Sequence, residues 1–136
     1  MNVAFFLVSK SETIHLSPNN TMRQALEKME HHRYTAIPLI DNSGKYAGTI
    51  TEGDLLWKLK NTPDLCFENT EKVKLKEVPQ RIYNKPVKIT SSIEDLISLT
   101  VTQNFVPVVD DSEIFIGIIR RSDIIEYFAK KYSDVM

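Results

Sequence analysis

The sequence predicts an α+β fold made of two tandem β-α-β-β-α repeats packed with pseudo-twofold symmetry, and three observations carry that expectation. The first is internal repetition. Ala36-Ile37-Pro38-Leu39-Ile40-Asp41 recurs as Phe105-Val106-Pro107-Val108-Val109-Asp110, and Gly48-Thr49-Ile50-Thr51-Glu52-Gly53-Asp54 recurs as Gly117-Ile118-Ile119-Arg120-Arg121-Ser122-Asp123. The proline, the glycine and the final aspartate keep one spacing, from 38 to 107, 48 to 117 and 54 to 123, which marks one structural unit used twice. The second is a change of period inside each repeat, from β-rich runs to apolar residues at helical spacing. The third is size: a repeat of about 55 to 65 residues is too small to hide both faces of its sheet, so two must pack together.

Taken in order, the apolar opening Met1 to Val8 is far shorter than a membrane span and carries neither a basic leader nor a small-residue cleavage site. It is expected to be a packed N-terminal arm of the first repeat. Ile14-His15-Leu16 and Val87-Lys88-Ile89 then open the two repeats as short strands. Thr21 and Ser92 suit helix N-caps, with Gln24 and Asp95 three residues on to complete capping-box-like pairs. Met22, Ala25, Leu26 and Met29 form one buried helical face, and Ile93, Leu96, Ile97 and Thr100 form its counterpart. Two β-rich runs joined by Asn42-Ser43-Gly44 or by Asp110-Asp111-Ser112 predict a hairpin in each repeat. Pro38 and Pro107 are expected at strand ends, where they interrupt the ladder.

A closing helix starts near Asp54 or Asp123. Leu55, Leu56, Trp57 and Leu59 in the first, and Ile124, Ile125, Phe128 and Tyr132 in the second, read as apolar packing stripes, the latter extending toward a partner chain. Asn61 to Pro79 is a polar connector that carries the chain back across the first repeat, and the alternation Lys72-Val73-Lys74-Leu75-Lys76 suggests a short strand opening the second unit. The expected organisation is therefore residues 1–60 as repeat one with its arm, 61–78 as connector and 79–136 as repeat two.

Composition narrows the function. Hydrophobic residues at 42% and charged residues at 26% belong to a globular protein, and a net charge of -1 offers no general attraction to nucleic acid or an anionic membrane. The single cysteine, Cys66, has no intrachain partner, which favours a reducing cytoplasm over secretion. Catalysis finds no support. His15, His31 and His32 lack metal-site spacing, Cys66 has no base beside it in sequence, and Thr51 has no neighbouring base to activate it. No obligatory cofactor is expected.

These residues resemble a pair of CBS domains, the family named after cystathionine β-synthase, over almost the entire chain. The motif is a strand with a hydrophobic-Pro-hydrophobic step, a hairpin, then Gly-hydrophobic-hydrophobic-Thr/Ser-x-x-Asp at the head of a helix. Gly48, Thr51 and Asp54 satisfy it, whereas repeat two keeps Gly117 and Asp123 but places Arg120 where Thr or Ser is usual. Tyr34-Thr35-Ala36-Ile37-Pro38 is also similar to stand-alone bacterial CBS pairs that respond to cyclic di-AMP.

The resemblance implies a regulatory module, not an enzyme, that binds an adenine nucleotide (AMP, ADP, ATP or cyclic di-AMP) in clefts between the repeats. It also implies a homodimer that signals to an unidentified target protein. A nucleotide site needs a carboxylate for ribose hydroxyls, cations or donors for phosphate and an apolar slot for adenine. The resemblance joins Asp123, Ser122, Arg120 and Arg121 to Tyr34, Thr35 and Ala36 in the preferred cleft, with Asp123 for ribose, the two arginines for phosphate, the Tyr34 ring and the backbone around Ala36 for adenine, and the strand from Lys10 through Thr13 to His15 as wall. It places Thr51 and Asp54 in the other, with Asn104, Phe105 and the strand near Tyr83 to Ile89. Two alternatives stay open. Asp54 and Asp123 equally suit helix caps, and Arg120 is equally suited to pair with an acid such as Glu52. In that case the chain is a ligand-free structural module that works by dimerising or docking.

Overall fold

A computed structural model describes residues 2–135. The chain divides into two compact units, a continuous one, Ile14–Tyr83, and a split one, Met1–Thr13 with Asn84–Met136. The fold is mixed α+β, as predicted.

In the continuous unit, Thr21 caps helix α1 (Met22–His32) with the predicted reciprocal box: its hydroxyl accepts from the Gln24 N–H at 3.2 Å, and Gln24 Oε1 accepts from the Thr21 N–H at 2.8 Å. The helix buries Met22, Ala25 and Met29 against a hairpin of β2 (Ala36–Ile40) and β3 (Tyr46–Thr51). Leu16 lies parallel to this hairpin, its N–H donating to the Pro38 carbonyl and its carbonyl accepting from the Ile40 N–H. Helix α2 (Glu52–Asn61) closes the repeat and buries Leu55.

The connector then returns across this unit. It is built from 3₁₀ turns at Phe67–Lys72 and Leu75–Glu77 and holds no strand of the second repeat. Lys74 bridges Thr21, the Val73 carbonyl accepts from Met22 N–H, and fully buried Leu75 joins Val78 in the core with Met22, Ile37 and Leu39. The alternating Lys and apolar residues thus have a local cause. Val73 and Leu75 are drawn into the first repeat while the lysines stay at its surface.

The split unit is a four-stranded sheet in the order β1 (Val8–Ser9), β6 (Phe115–Arg120), β5 (Phe105–Val109), β4 (Val87–Lys88). Helix α3 (Ile93–Thr100), capped by Ser92, and helix α4 (Arg121–Val135) complete it. The arm was expected with repeat one, yet it packs here. Val8 and Ser9 pair antiparallel with Ile118 and Gly117, and Val3 and Phe6 sit in a cluster with Leu96, Val106 and Ile119. Each unit therefore has its own apolar cluster, completed by a segment outside its repeat: the connector in one, the arm in the other. These units cross the expected bounds of 1–60, 61–78 and 79–136 for that reason.

The two motif glycines admit these outside segments. Gly48 has φ 105°, and the Gln80 side chain, which accepts from the Thr49 N–H, lies where a Cβ would project. At Gly117, φ is 156° and the Val8 carbonyl fills the same space. A side chain there would push the arm off the sheet edge.

Other expectations are corrected by packing. Pro38 and Pro107 lie inside β2 and β5, opposite Thr49 and Ile118, and not at strand ends. Only Leu55 and Ile124 of the closing-helix stripes are buried, and Leu59 is partly so; Leu56, Trp57, Ile125, Phe128 and Tyr132 are exposed. Lys10–Glu12, expected as strand, is a 3₁₀ turn.

The hairpin turns repeat atom for atom. Asp41 Oδ1 accepts from the Ser43 and Lys45 N–H groups, and Asp110 Oδ1 accepts from those of Ser112 and Ile114. The residue with positive φ is Gly44 in one turn and Glu113, at 67°, in the other. Left-handed backbone costs a residue with a Cβ about 1 kcal/mol relative to glycine, and the exposed Lys88–Glu113 pair at 3.5 Å offers little in return. Glu113→Gly is therefore expected to raise stability by about 0.5 kcal/mol, read as a rise of about 2 °C in the thermal midpoint.

Candidate functional site

The two motif aspartates stand at equivalent places, three residues after the last strand residue of each hairpin, and local chemistry sends them different ways. At the β3–α2 junction, the Thr51 hydroxyl accepts from the Asp54 N–H at 3.1 Å while Asp54 Oδ2 accepts from the Thr51 N–H at 2.9 Å. Asp54 Oδ1 accepts from the Arg81 N–H at 3.0 Å. Both carboxylate oxygens thus serve backbone groups, and the residue is 1% exposed. Asp54 completes the capping box of α2, whose N-cap is Thr51, and clamps the connector's end. The Arg81 guanidinium then lies 5.5 Å from the centroid of the Trp57 ring, over its face.

At the β6–α4 junction, Arg120 replaces the threonine and no hydroxyl is available for that box. Its guanidinium instead takes Asp123 in a fork, Nε to Oδ2 at 2.9 Å and Nη2 to Oδ1 at 3.3 Å. Arg120, at the end of β6, is thus paired with Asp123 in the first turn of α4. The Asp123 side chain is 30% exposed and that of Arg120 is 56% exposed, so this pair stays at the surface. Arg121 donates its backbone N–H to the Asn104 carbonyl, as Glu52 does to the Thr35 carbonyl in the other unit. Ser122 is exposed beside it.

Asp123 lines a cleft of about 410 Å³ between the arm residues Phe5–Val8 and Glu126, Tyr127 and Lys130 of α4. That volume lies in the range of small-molecule pockets. Its aromatic wall is ordered by edge-to-face contacts of Tyr127 with Phe5 and Phe6, at 5.6 and 5.4 Å between ring centres. Lys10 follows β1 in its 3₁₀ turn, and Thr13, which ends the arm, is buried and donates its hydroxyl to the Ser9 carbonyl at 2.8 Å. The structure therefore brings Lys10, Thr13, Arg120, Arg121, Ser122 and Asp123 into one unit.

Tyr34, Thr35, Ala36, Thr51 and Asp54 fall in the other. There Ala36 pairs with Thr51 across the hairpin, and the half-exposed Tyr34 ring stacks on His32 at 5.5 Å. Tyr34 and Thr35 line a second cleft, of about 510 Å³, floored by Leu26, Met29 and Phe67 and edged by Glu27, Glu30 and Glu52. Among the described residues no group of three His, Cys, Asp or Glu side chains is placed to hold a metal, and no helix is long and apolar enough to cross a membrane.

Sequence reasoning missed Arg81 and the Phe6, Tyr127 and Lys130 walls. Arg81 acts on Asp54 through its backbone N–H, which leaves no trace in residue type. The aromatic pair Phe5-Phe6 was a readable signal, but its partner on α4 is set by the β1–β6 pairing.

The family model for the CBS domain matches residues 8–61 and 76–130. The chain belongs to the CBS-domain family. Its two CBS repeats account for the motif spacing and for the paired hairpins. Among curated relatives, a CBS domain-containing protein of Dictyostelium discoideum is 30% identical over 131 residues, covering 91% of this chain and 89% of that protein. The cyclic di-AMP receptor B of Bacillus subtilis is 24% identical over 133 residues, covering 94% and 86%. Among solved structures, Listeria monocytogenes CbpB in complex with cyclic di-AMP superposes with a TM-score of 0.83 at 25% identity, over 98% of each chain.

Proposed function

We propose that this CBS pair is a regulatory module that binds one adenine nucleotide per chain (AMP, ADP, ATP or cyclic di-AMP) at Asp123 and communicates its occupancy to a partner protein. The observation that carries the reading is the contrast between the aspartates. Asp54 is buried with both oxygens committed to backbone N–H groups, whereas Asp123 keeps an accessible carboxylate on a cleft with an aromatic wall and a nearby lysine. In this reading Asp123 accepts from a ribose hydroxyl, and Arg120, Arg121 and Lys10 meet phosphate as charge-assisted donors. Ser122 and Thr13 add polar wall. The names of the Bacillus and Listeria relatives support a nucleotide that includes cyclic di-AMP. In this reading the module is a cytoplasmic sensor and not an enzyme.

A ligand shifts signalling only through unequal affinity for two arrangements of the protein. The exposed stripe Ile125, Phe128 and Tyr132 on α4, at helical spacing and on the helix that begins at Asp123, supports a homodimer or docking surface that such a shift modulates. A second reading, a ligand-free interaction module, is favoured by the Arg120–Asp123 pair, which already satisfies the motif carboxylate. Isothermal calorimetry with AMP, ADP, ATP and cyclic di-AMP separates the two. The expected result is saturable binding of at least one of them at sub-millimolar concentration, with one ligand-binding site per chain for a mononucleotide. No heat from any of the four supports the interaction module instead.

A further inference from the structure

We infer that the Arg120–Asp123 pair is an internal latch that selects nucleotides over nucleosides, because only a ligand with both a ribose hydroxyl and a phosphate replaces both halves of the pair. This rests on the nucleotide reading of the Asp123 site. The two CBS repeats supply their own control experiment. Where Thr51 stands, the aspartate turns inward to backbone N–H groups; where Arg120 stands, it turns to a guanidinium and remains accessible. The arginine is thus both the reason Asp123 is available and the group that occupies it.

The charge arithmetic of opening the latch differs between ligands. A carboxylate engaged by both nitrogens of one guanidinium is electrostatically satisfied, and a neutral ribose hydroxyl is a weaker donor than the guanidinium it displaces. A nucleoside that takes Asp123 leaves Arg120 without its anion. A nucleotide brings a phosphate that accepts the same fork, so the guanidinium exchanges one bidentate acceptor for another. The pair opens readily, since Arg120 is more than half exposed and exposed pairs contribute little, so the preference comes from the fork that only a phosphate re-forms with Arg120. Other cations near the motif do not duplicate this role. Arg121 carries its own charge beside the junction but is not in the fork, and Lys130 lines the cleft a turn or more further along α4.

The test is calorimetry on the full chain with AMP, cyclic di-AMP and adenosine, for the native protein and for Arg120→Thr, which copies the first repeat. The native protein is expected to prefer AMP or cyclic di-AMP over adenosine by at least about tenfold, and Arg120→Thr to reduce that preference to about threefold or less, with a thermal midpoint within a few degrees of native. Nucleotide binding whose preference over adenosine survives Arg120→Thr, or which weakens equally for all three ligands, overturns the latch and leaves the nucleotide site standing. Failure of all three ligands to bind the native protein overturns the site and the latch together.

Discussion

Asp54→Ala is expected to lower the thermal midpoint by about 10 °C, corresponding to about 2–4 kcal/mol for a chain of this size. The loss has two parts. The Arg81 N–H loses its acceptor on a carboxylate that is 1% exposed, and stranding this part-buried donor costs about 1–3 kcal/mol. The Thr51 N–H also loses its acceptor, the half of the α2 capping box that Asp54 supplies, which is worth about 1 kcal/mol. Because Arg81 N–H is the tie between α2 and the end of the connector, residues after Val78 should lose hydrogen-exchange protection first. Asp54→Asn keeps one acceptor and is expected to recover part of the loss. A midpoint within a degree or two of native for Asp54→Ala would contradict the clamp. At temperatures where the variant is folded, nucleotide affinity should change by less than about threefold. Abolished binding by a folded Asp54→Ala would place the ligand at the wrong aspartate in our reading.

Asp123→Ala is expected to do the reverse. The carboxylate is part-exposed and its partner is an exposed guanidinium, so stability should fall by no more than about 1 kcal/mol, a midpoint shift of a few degrees at most. Binding of the nucleotide that calorimetry identifies should weaken at least about 30-fold, as for a charge-assisted hydrogen bond worth about 2 kcal/mol or more. The measurement is the same titration with a thermal melt on the same sample. Unchanged affinity would remove Asp123 from the site, and a large drop in midpoint would show a structural role that the geometry does not.

Between them the two substitutions describe how far the motif could be read without coordinates. The repeat, the α1 stripe of Met22, Ala25 and Met29, the Thr21–Gln24 box and the two Asp-led hairpin turns are local patterns, written in residues a few positions apart. So was the asymmetry between Thr51 and Arg120. The choice between capping and binding was not legible, because it turns on what reaches each carboxylate from far away in the chain. Arg81 reaches Asp54 across 27 residues through a backbone N–H, while the arm meets the sheet beside Asp123 from the opposite end of the chain. The closing helices misled for a related reason. Apolar residues at helical spacing mark a face that avoids water in some context, and in this chain only Leu55 and Ile124 lie fully against the units' own cores.

From the sequence alone follow the doubled β-α-β-β-α unit, the caps and turns that punctuate it, and the fact that its halves are chemically unequal. Each rests on short-range hydrogen bonding and periodicity, which a linear pattern encodes directly. Only the tertiary structure decided that the connector completes one core and the arm the other, and that Asp54 is sealed while Asp123 stays open. Those outcomes depend on which distant segment fills the space above Gly48 and Gly117, and close packing settles that in three dimensions, not along the chain.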